Sequence, residues 1–316
     1  MKKKTLLIAG CGNLGSRYIQ GLAHISNPLE IFLFDINKSS ITNASMVFNE
    51  NKNHAIHICE NLSSIPTSID LVINATTAFE RYKIIESISN FSTVDYWLIE
   101  KVLEQNTKNL RLIQNSLKKC EGAWVNTPRR IMPWYYEIKS KISLHSPLHF
   151  SYTGGNWGLA CNAVHFIDLL SWITSETVVS CDSTLLDKNW VQAKRKGYFE
   201  VFGKLLIKFS RGSILELVCI NIDSLQSSIE IKDSNGIWAI NERDGIATHT
   251  DGSVINGRIP LQSEITPFLL NDILYAGTCE LPDLKTSIEM HEKFLDCMLS
   301  HWQHNMDYNS KTVPIT

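Results

Sequence analysis

The chain has 316 residues, 44% of them hydrophobic and 20% charged, and 30 Lys+Arg against 32 Asp+Glu leave a formal net charge of −2. These proportions suit a globular protein with a sizeable core divided into two domains. They exclude collagen, a coiled coil, a disordered tail and a disulfide-rich mini-protein. A near-balanced charge without a basic stripe gives no electrostatic footprint for nucleic acid.

Cysteines 11, 59, 120, 161, 181, 219, 279 and 297 stand singly, with no CxxC pair. Neither a zinc knuckle nor a redox dithiol is expected, and no metal site is assigned. Lone thiols suggest a reducing, cytoplasmic setting. The start, Met1–Ala9, is basic and then apolar. Its apolar run ends at Gly10, short of the roughly 7–15 residues of a secretory h-region, so a buried first strand is expected. No later stretch approaches the roughly 18 uncharged apolar residues of a membrane span.

In chain order, short apolar runs alternate with helical patterns through the first third, the signature of βαβ units and a parallel sheet. Strands are expected at Thr5–Ala9, Glu30–Asp35, Ala55–Cys59, Leu71–Ala75, Tyr96–Ile99 and Ala123–Asn126. Helices are expected at Leu14–Ala23, Ser40–Phe48, Phe79–Ser89 and Leu103–Lys119, the last with Leu103, Leu110, Ile113 and Leu117 at helical spacing. The texture then changes. Helices at Pro133–Lys141 and Ala160–Ile173 precede β segments at Tyr198–Phe209, Ser213–Ile222, Ser227–Lys232 and Gly236–Asn241, and a final helix spans Leu284–Trp302. The expected architecture is α/β: a doubly wound Rossmann domain over residues 1–125, then an α+β domain over 126–316 with an open, mainly antiparallel or mixed sheet.

The sharpest motif is Gly10-Cys11-Gly12-Asn13-Leu14-Gly15, between a strand and a helix. The first glycine permits a tight turn, the second lets backbone amides approach a pyrophosphate, and the third lets helix and sheet pack closely. Asp35 falls at the end of the second strand, where an acid would hold an adenosine ribose. Its carboxylate would repel a 2′-phosphate, so NAD is expected over NADP, although Lys38 nearby softens that repulsion. Gly10, Gly12, Asn13, Leu14 and Asp35 are thus candidate cofactor residues.

GCGNLG at 10–15, Asp35, NATTA at 74–78, IEK at 99–101 and a His-containing helix near 165 together resemble the glucose–fructose oxidoreductase/inositol dehydrogenase/MocA family. The resemblance covers most of the chain. It implies a two-domain NAD(P)-dependent oxidoreductase acting on sugars, cyclitols or related hydroxy compounds, with surface-polysaccharide sugar biosynthesis as a context. It further implies a homodimer or homotetramer formed through the second-domain sheet. Thr76 and Thr77 match the loop lying along the cofactor, and Glu100 matches the acid at the nicotinamide-side ribose. Lys101 matches the catalytic lysine that touches cofactor and reacting oxygen. Val102 stands where the family has proline. Asn126 and Arg130, in VNTPRR, resemble the segment reaching toward nicotinamide or substrate. Arg129 and Arg130 read either as holders of an acidic group or as a solvated pair.

His165 and Asp168 match the family's helix pattern, with His165 the second catalytic candidate and Asp168 structural. The acid expected four residues before the histidine is replaced by Cys161, followed by Asn162. Proton transfer would then rest on His165, Lys101 or both. Trp157, beside the glycine-rich Gly154–Gly158, reads equally as a sugar-stacking ring or a packed aromatic. Trp157, Arg130 and Asn162 are the candidate substrate residues. The missing acid also admits a reading from another class, a non-catalytic NAD(P)-bound regulatory or scaffold protein on the same fold.

Overall fold

The structure, a computed structural model, describes residues 3–46, 48 and 53–316. Two compact units divide it: Met1–Glu104 with Lys108–Asn126 and Pro260–Lys285, and Gln105–Thr107 with Thr127–Ile259 and Thr286–Thr316. The chain therefore returns to the first unit over Pro260–Lys285, which a single boundary at residue 126 does not provide for.

The first unit holds a six-stranded sheet of β1 (Lys4–Ala9), β2 (Leu29–Phe34), β3 (Ala55–Cys59), β4 (Ser68–Asn74), β5 (Thr93–Glu100) and β6 (Gly122–Asn126). Its order is β3-β2-β1-β4-β5-β6 with every pairing parallel. This is the dinucleotide-fold order, in which the crevice at the carboxyl ends of β1 and β4 is the place for a ligand. Consecutive residues Leu6–Ala9 and Leu71–Ile73 are fully buried. Both faces of these strands are covered, and each such Leu or Ile contributes about 1.5–3 kcal/mol of burial.

The helices of this unit are α1 (Asn13–Leu22), α2 (Lys38–Met46), α3 (Ala78–Phe91) and α4 (Thr107–Ser116), the last begun by a residue of the second unit. Of the helix expected at Ser40–Phe48, Val47 lies outside the described residues, as do Met1 and Lys2 of the chain start. The helix expected from Leu103 begins instead at Thr107. Buried Leu103 serves the turn after β5 rather than a helical face.

The second unit contains α5 (Pro133–Lys141), β7 (His149–Gly155), α6 (Leu159–Thr174), β8 (Val178–Gln192), β9 (Phe199–Phe209), β10 (Ile214–Ile220), β11 (Ser228–Lys232), β12 (Ile237–Asn241), β13 (Ile246–His249) and β14 (Val254–Asn256). Helix α7 (Gln262–Asn271) runs into a π turn over Asp272–Ala276 in the first unit, and α8 begins at Leu284 and ends at Asn305 in the second. The eight-stranded sheet runs β14-β13-β12-β11-β7-β10-β9-β8; β7 and β10 pair in parallel and the other pairs are antiparallel. A mixed sheet is the outcome.

Strands β7, β8, β13 and β14 and helix α7 escaped the sequence reading. Strand β7 alternates buried Phe150, Tyr152 and Gly154 with half-exposed neighbours. Its glycines disguised that alternation as a loop. Most side chains of β8 face solvent, leaving no apolar period to detect. No helix among the described residues is long and apolar enough to cross a membrane.

Candidate functional site

In the first unit the β1–α1 turn is built by its glycines. Gly10 has φ +93, and a Cβ there would lie 2.7 Å from the backbone of Ala75 and Thr76, so this turn rests directly on the loop after β4. A Cβ at Gly15 would collide with the Gly10 carbonyl. At Gly12 it would meet nothing within 4 Å among the described residues beyond its chain neighbours. The fold thus demands glycine at 10 and 15, whereas at 12 glycine keeps open a cradle that a side chain would fill. Gly12 is also the N-cap of α1, with no side-chain cap and no acidic residue in the first turn. The N–H groups of Asn13 and Leu14 lie in that uncapped turn, where backbone polarity favours an anion.

Asp35 closes this turn from the residue directly after β2. Its Oδ2 accepts the Cys11 N–H at 2.7 Å and its Oδ1 accepts the Asn37 N–H at 2.8 Å. Each carboxylate oxygen retains capacity for a ligand hydroxyl. Lys38 is exposed and lies 3.8 Å from Glu60. The Cys11 thiol is pushed up to about 12 by burial and by the nearby Asp35 charge, so it stays protonated.

The loop after β4 places Thr76 and Thr77 half-buried beside Gly10. The Thr76 N–H and hydroxyl donate to Asn74 Oδ1 at 3.2 and 2.6 Å, while Thr77 is the N-cap of α3 without a capping bond from its side chain. Arg81, 1% exposed, donates to the carbonyls of Thr76 and Val102. One guanidinium therefore ties the loop after β4 to the loop after β5. Sequence reading missed Arg81, because a charged residue on a helix ordinarily reads as solvated surface.

Glu100 ends β5 and is 3% exposed. Its Oε1 accepts from the Tyr18 hydroxyl and from Asn126 Nδ2, the latter at 2.8 Å. Asn126 Nδ2 also lies 2.8 Å from the Tyr18 oxygen and 2.9 Å from Gln262 Oε1. Burial raises the Glu100 carboxyl above its ordinary range, against the opposing bonds from Tyr18 and Asn126. Lys101 follows, half-buried, with a cis peptide to Val102.

In the second unit, His165 and Cys161 lie four residues apart on α6 and so share a helix face. The first turn of α6 is capped by Glu200 of β9, which accepts the N–H groups of Ala160 at 2.8 Å and Cys161 at 3.2 Å. The Cys161 thiol donates to the Thr316 carbonyl. Asn162 Nδ2 donates to the Trp157 carbonyl at 2.8 Å and braces the turn at Gly158, whose φ is +75. The Trp157 indole N–H donates to the Val218 carbonyl at 2.9 Å, and the ring meets Tyr152 and Phe166 edge-on at 4.7 and 5.7 Å between centroids. Trp157 is thus anchored within its own unit.

Neither Arg129 nor Arg130 is simply solvated. Arg130 forms two bonds to Asp168, at 2.9 and 2.6 Å, and Asp168 is fully buried. Burial pushes the Asp168 carboxyl up to about 6 even with the Arg130 charge beside it. Arg129 pairs with Glu242 at 2.8 and 2.9 Å, and the Tyr135 hydroxyl donates to the same carboxylate at 2.5 Å. Burial opposes ionisation of Glu242, but Arg129 holds it below the ordinary value.

Solved structures share this architecture over nearly the whole chain. UDP-N-acetylglucosamine 3-dehydrogenase GnnA from Acidithiobacillus ferrooxidans superposes with a TM-score of 0.74 at 12% identity, covering 95% of this chain and 98% of that one. An oxidoreductase from Agrobacterium radiobacter in complex with NAD+, L-tartaric acid and magnesium gives 0.72 at 12%, covering 99% and 98%. A scyllo-inositol dehydrogenase from Lactobacillus casei with bound NAD(H) and scyllo-inositol gives 0.68 at 14%, covering 96% and 98%. The fold is that of the inositol and sugar dehydrogenases. No protein-family model matches the chain, and no curated protein does either.

Proposed function

We propose that this chain is an NAD-dependent oxidoreductase that transfers hydride between nicotinamide and a hydroxyl- or keto-bearing carbon of a sugar or cyclitol. The carrying observation is the β1–α1 turn: glycine at 12 answers to no contact among the described residues beyond its chain neighbours, the first turn of α1 lacks a side-chain cap, and Asp35 stands at the turn. That combination fits a dinucleotide pyrophosphate and its adenosine ribose. The NAD(H) bound in two of the similar structures supports the same choice.

When bound, NAD supplies the hydride acceptor or donor. Gly10, Gly12, Asn13 and Leu14 would hold its pyrophosphate, Asp35 the adenosine ribose, and Thr76, Thr77, Glu100 and Asn126 its nicotinamide half. Lys101 is assigned to the reacting oxygen through its ammonium hydrogen bond. His165 is assigned the alcohol proton, taken in oxidation and returned in reduction. Arg130, Trp157 and Asn162 act on the substrate side by bracing the second unit, through Asp168, Val218 and the Trp157 carbonyl respectively. Self-association through the second-unit sheet belongs to the same proposal, and analytical ultracentrifugation tests it.

Absorbance at 340 nm against polyols, free sugars, nucleotide-linked sugars and their keto forms tests the activity. Turnover on a member of this panel, reduced by at least 100-fold in Lys101→Ala, is the expected result. Tight NAD binding without turnover on any member would replace this reading with the non-catalytic one.

A further inference from the structure

Helix α1 carries more than the dinucleotide turn. Tyr18 is fully buried on the face that also holds Ile19 and Leu22. Its hydroxyl donates to Glu100 Oε1, across 82 residues of sequence. From β6, Asn126 Nδ2 reaches both the Tyr18 oxygen and the same Glu100 Oε1, each at 2.8 Å. Gln262 of α7 stands 2.9 Å from that amide. Among the described residues, the Tyr18 hydroxyl and the Asn126 amide thus converge on one oxygen of the Glu100 carboxylate, Oε1.

A carboxylate buried to this degree needs hydrogen bonds to remain a charged acceptor. We propose that Tyr18 is a positioning residue for dinucleotide binding. With Asn126 it holds Oε1 of Glu100 in the ionised form, so that Oε2 accepts a hydrogen bond from the nicotinamide-side ribose. The inference rests on the reading that the first unit binds NAD. It gives a role to a tyrosine that the glycine motif does not include.

The groups facing Glu100 are the Tyr18 phenol from α1, the Asn126 amide from β6, the Arg81 guanidinium from α3 and the Lys101 ammonium next in the chain. All four favour its charged form against burial. Removing the Tyr18 hydroxyl takes away one of these supports. Glu100 then takes up its proton at a higher pH, and NAD binding fails earlier on acidification.

Calorimetric titration of the full chain with NAD+ between pH 5 and 8.5 tests this. Tyr18→Phe is expected to raise the acid midpoint of binding by about one pH unit. It should also weaken affinity about fivefold near neutrality. In a Glu100→Gln background that midpoint disappears, and adding Tyr18→Phe changes the dissociation constant no further. Incorporating 2,3-difluorotyrosine at position 18, a stronger donor of nearly the same shape, moves the midpoint the other way and serves if Tyr18→Phe fails to fold. Wild-type affinity and midpoint in Tyr18→Phe, an unmoved midpoint with difluorotyrosine, or a Tyr18→Phe effect that persists with Glu100→Gln overturns the inference while leaving the NAD reading intact. Failure of the wild-type chain to bind NAD+ at all overturns both.

Discussion

Gly12 and Gly15 lie three residues apart in one turn and answer to different constraints. At Gly15 the obstacle is the Gly10 carbonyl, a backbone atom that cannot swing aside. Gly15→Ala is therefore expected to lower unfolding free energy by about 2 kcal/mol or more in urea titration. At Gly12 no described residue beyond the chain neighbours comes within 4 Å of an added Cβ. Gly12→Val should leave stability within about 1 kcal/mol yet abolish measurable NAD+ binding. Equal losses of stability in the two variants would contradict this division of roles.

Asp168 offers a test at the same scale. Its folded value is about 6 against an ordinary 3.8, raised by burial despite Arg130. Between about pH 4 and 6 the folded chain holds a proton that the unfolded chain has released. The contribution of this group to stability is thus full below pH 4 and declines as pH rises through that window. Asp168→Asn removes the titration while leaving Arg130 without its carboxylate. The destabilisation it causes should shrink between pH 4 and 7 by an amount on the order of 3 kcal/mol. Urea unfolding at several pH values measures it, and a pH-independent gap would count against the raised value.

Among the elements, α1 works on three fronts. Its start carries the uncapped N–H groups, its second turn presents Tyr18 to Glu100, and its end meets α7. A Cβ on Gly21 would lie 2.5 Å from Thr266 Cβ and 2.6 Å from the Ser263 carbonyl. In an open helix Gly→Ala gains about 1 kcal/mol, but here two helices would have to separate. Gly21→Ala is expected to lower the Tm of the protein, with Gln20→Ala, on the half-buried side of the same helix, as the control. Helix α3 is the other organising element, because Arg81 joins the loops after β4 and β5. Arg81→Leu leaves both carbonyls without their donor, a change expected to cost about 2–4 kcal/mol.

At the scale of the whole molecule, the two units are distinguishable by exchange. NAD+ at about 100 times its dissociation constant stabilises whatever binds it by about 2.7 kcal/mol. Hydrogen exchange is therefore expected to slow in peptides spanning residues 10–18 and 74–78. Protection confined instead to residues 199–220 would assign the dinucleotide to the other unit.

How much of this was legible follows from the range of each interaction. The inner strands β1 and β4 could be read because they are buried on both faces, so uninterrupted apolar runs such as Leu6–Ala9 and Leu71–Ile73 mark them directly. The glycine turn was legible because strand, turn and helix N-terminus are contiguous, and local sterics choose the residues. Strand β8 was not, since a mostly exposed strand leaves no apolar period. Pairing partners were hidden for a different reason. Arg130 and Asp168 stand 38 residues apart, Arg129 and Glu242 stand 113 apart, and Tyr18 meets Glu100 across 82. No local pattern records which carboxylate a distant donor will reach.

By itself, then, the sequence determined the alternation of strands and helices, the glycine turn and the change of texture after residue 126, all properties of neighbouring residues. Only the tertiary structure decided that β7 lies between β11 and β10 and that Pro260–Lys285 returns to the first unit. It alone decided which charges are neutralised and which buried acid is held by a tyrosine. Those outcomes depend on which buried polar groups can satisfy one another at a distance, and burial is settled only when the whole chain has packed.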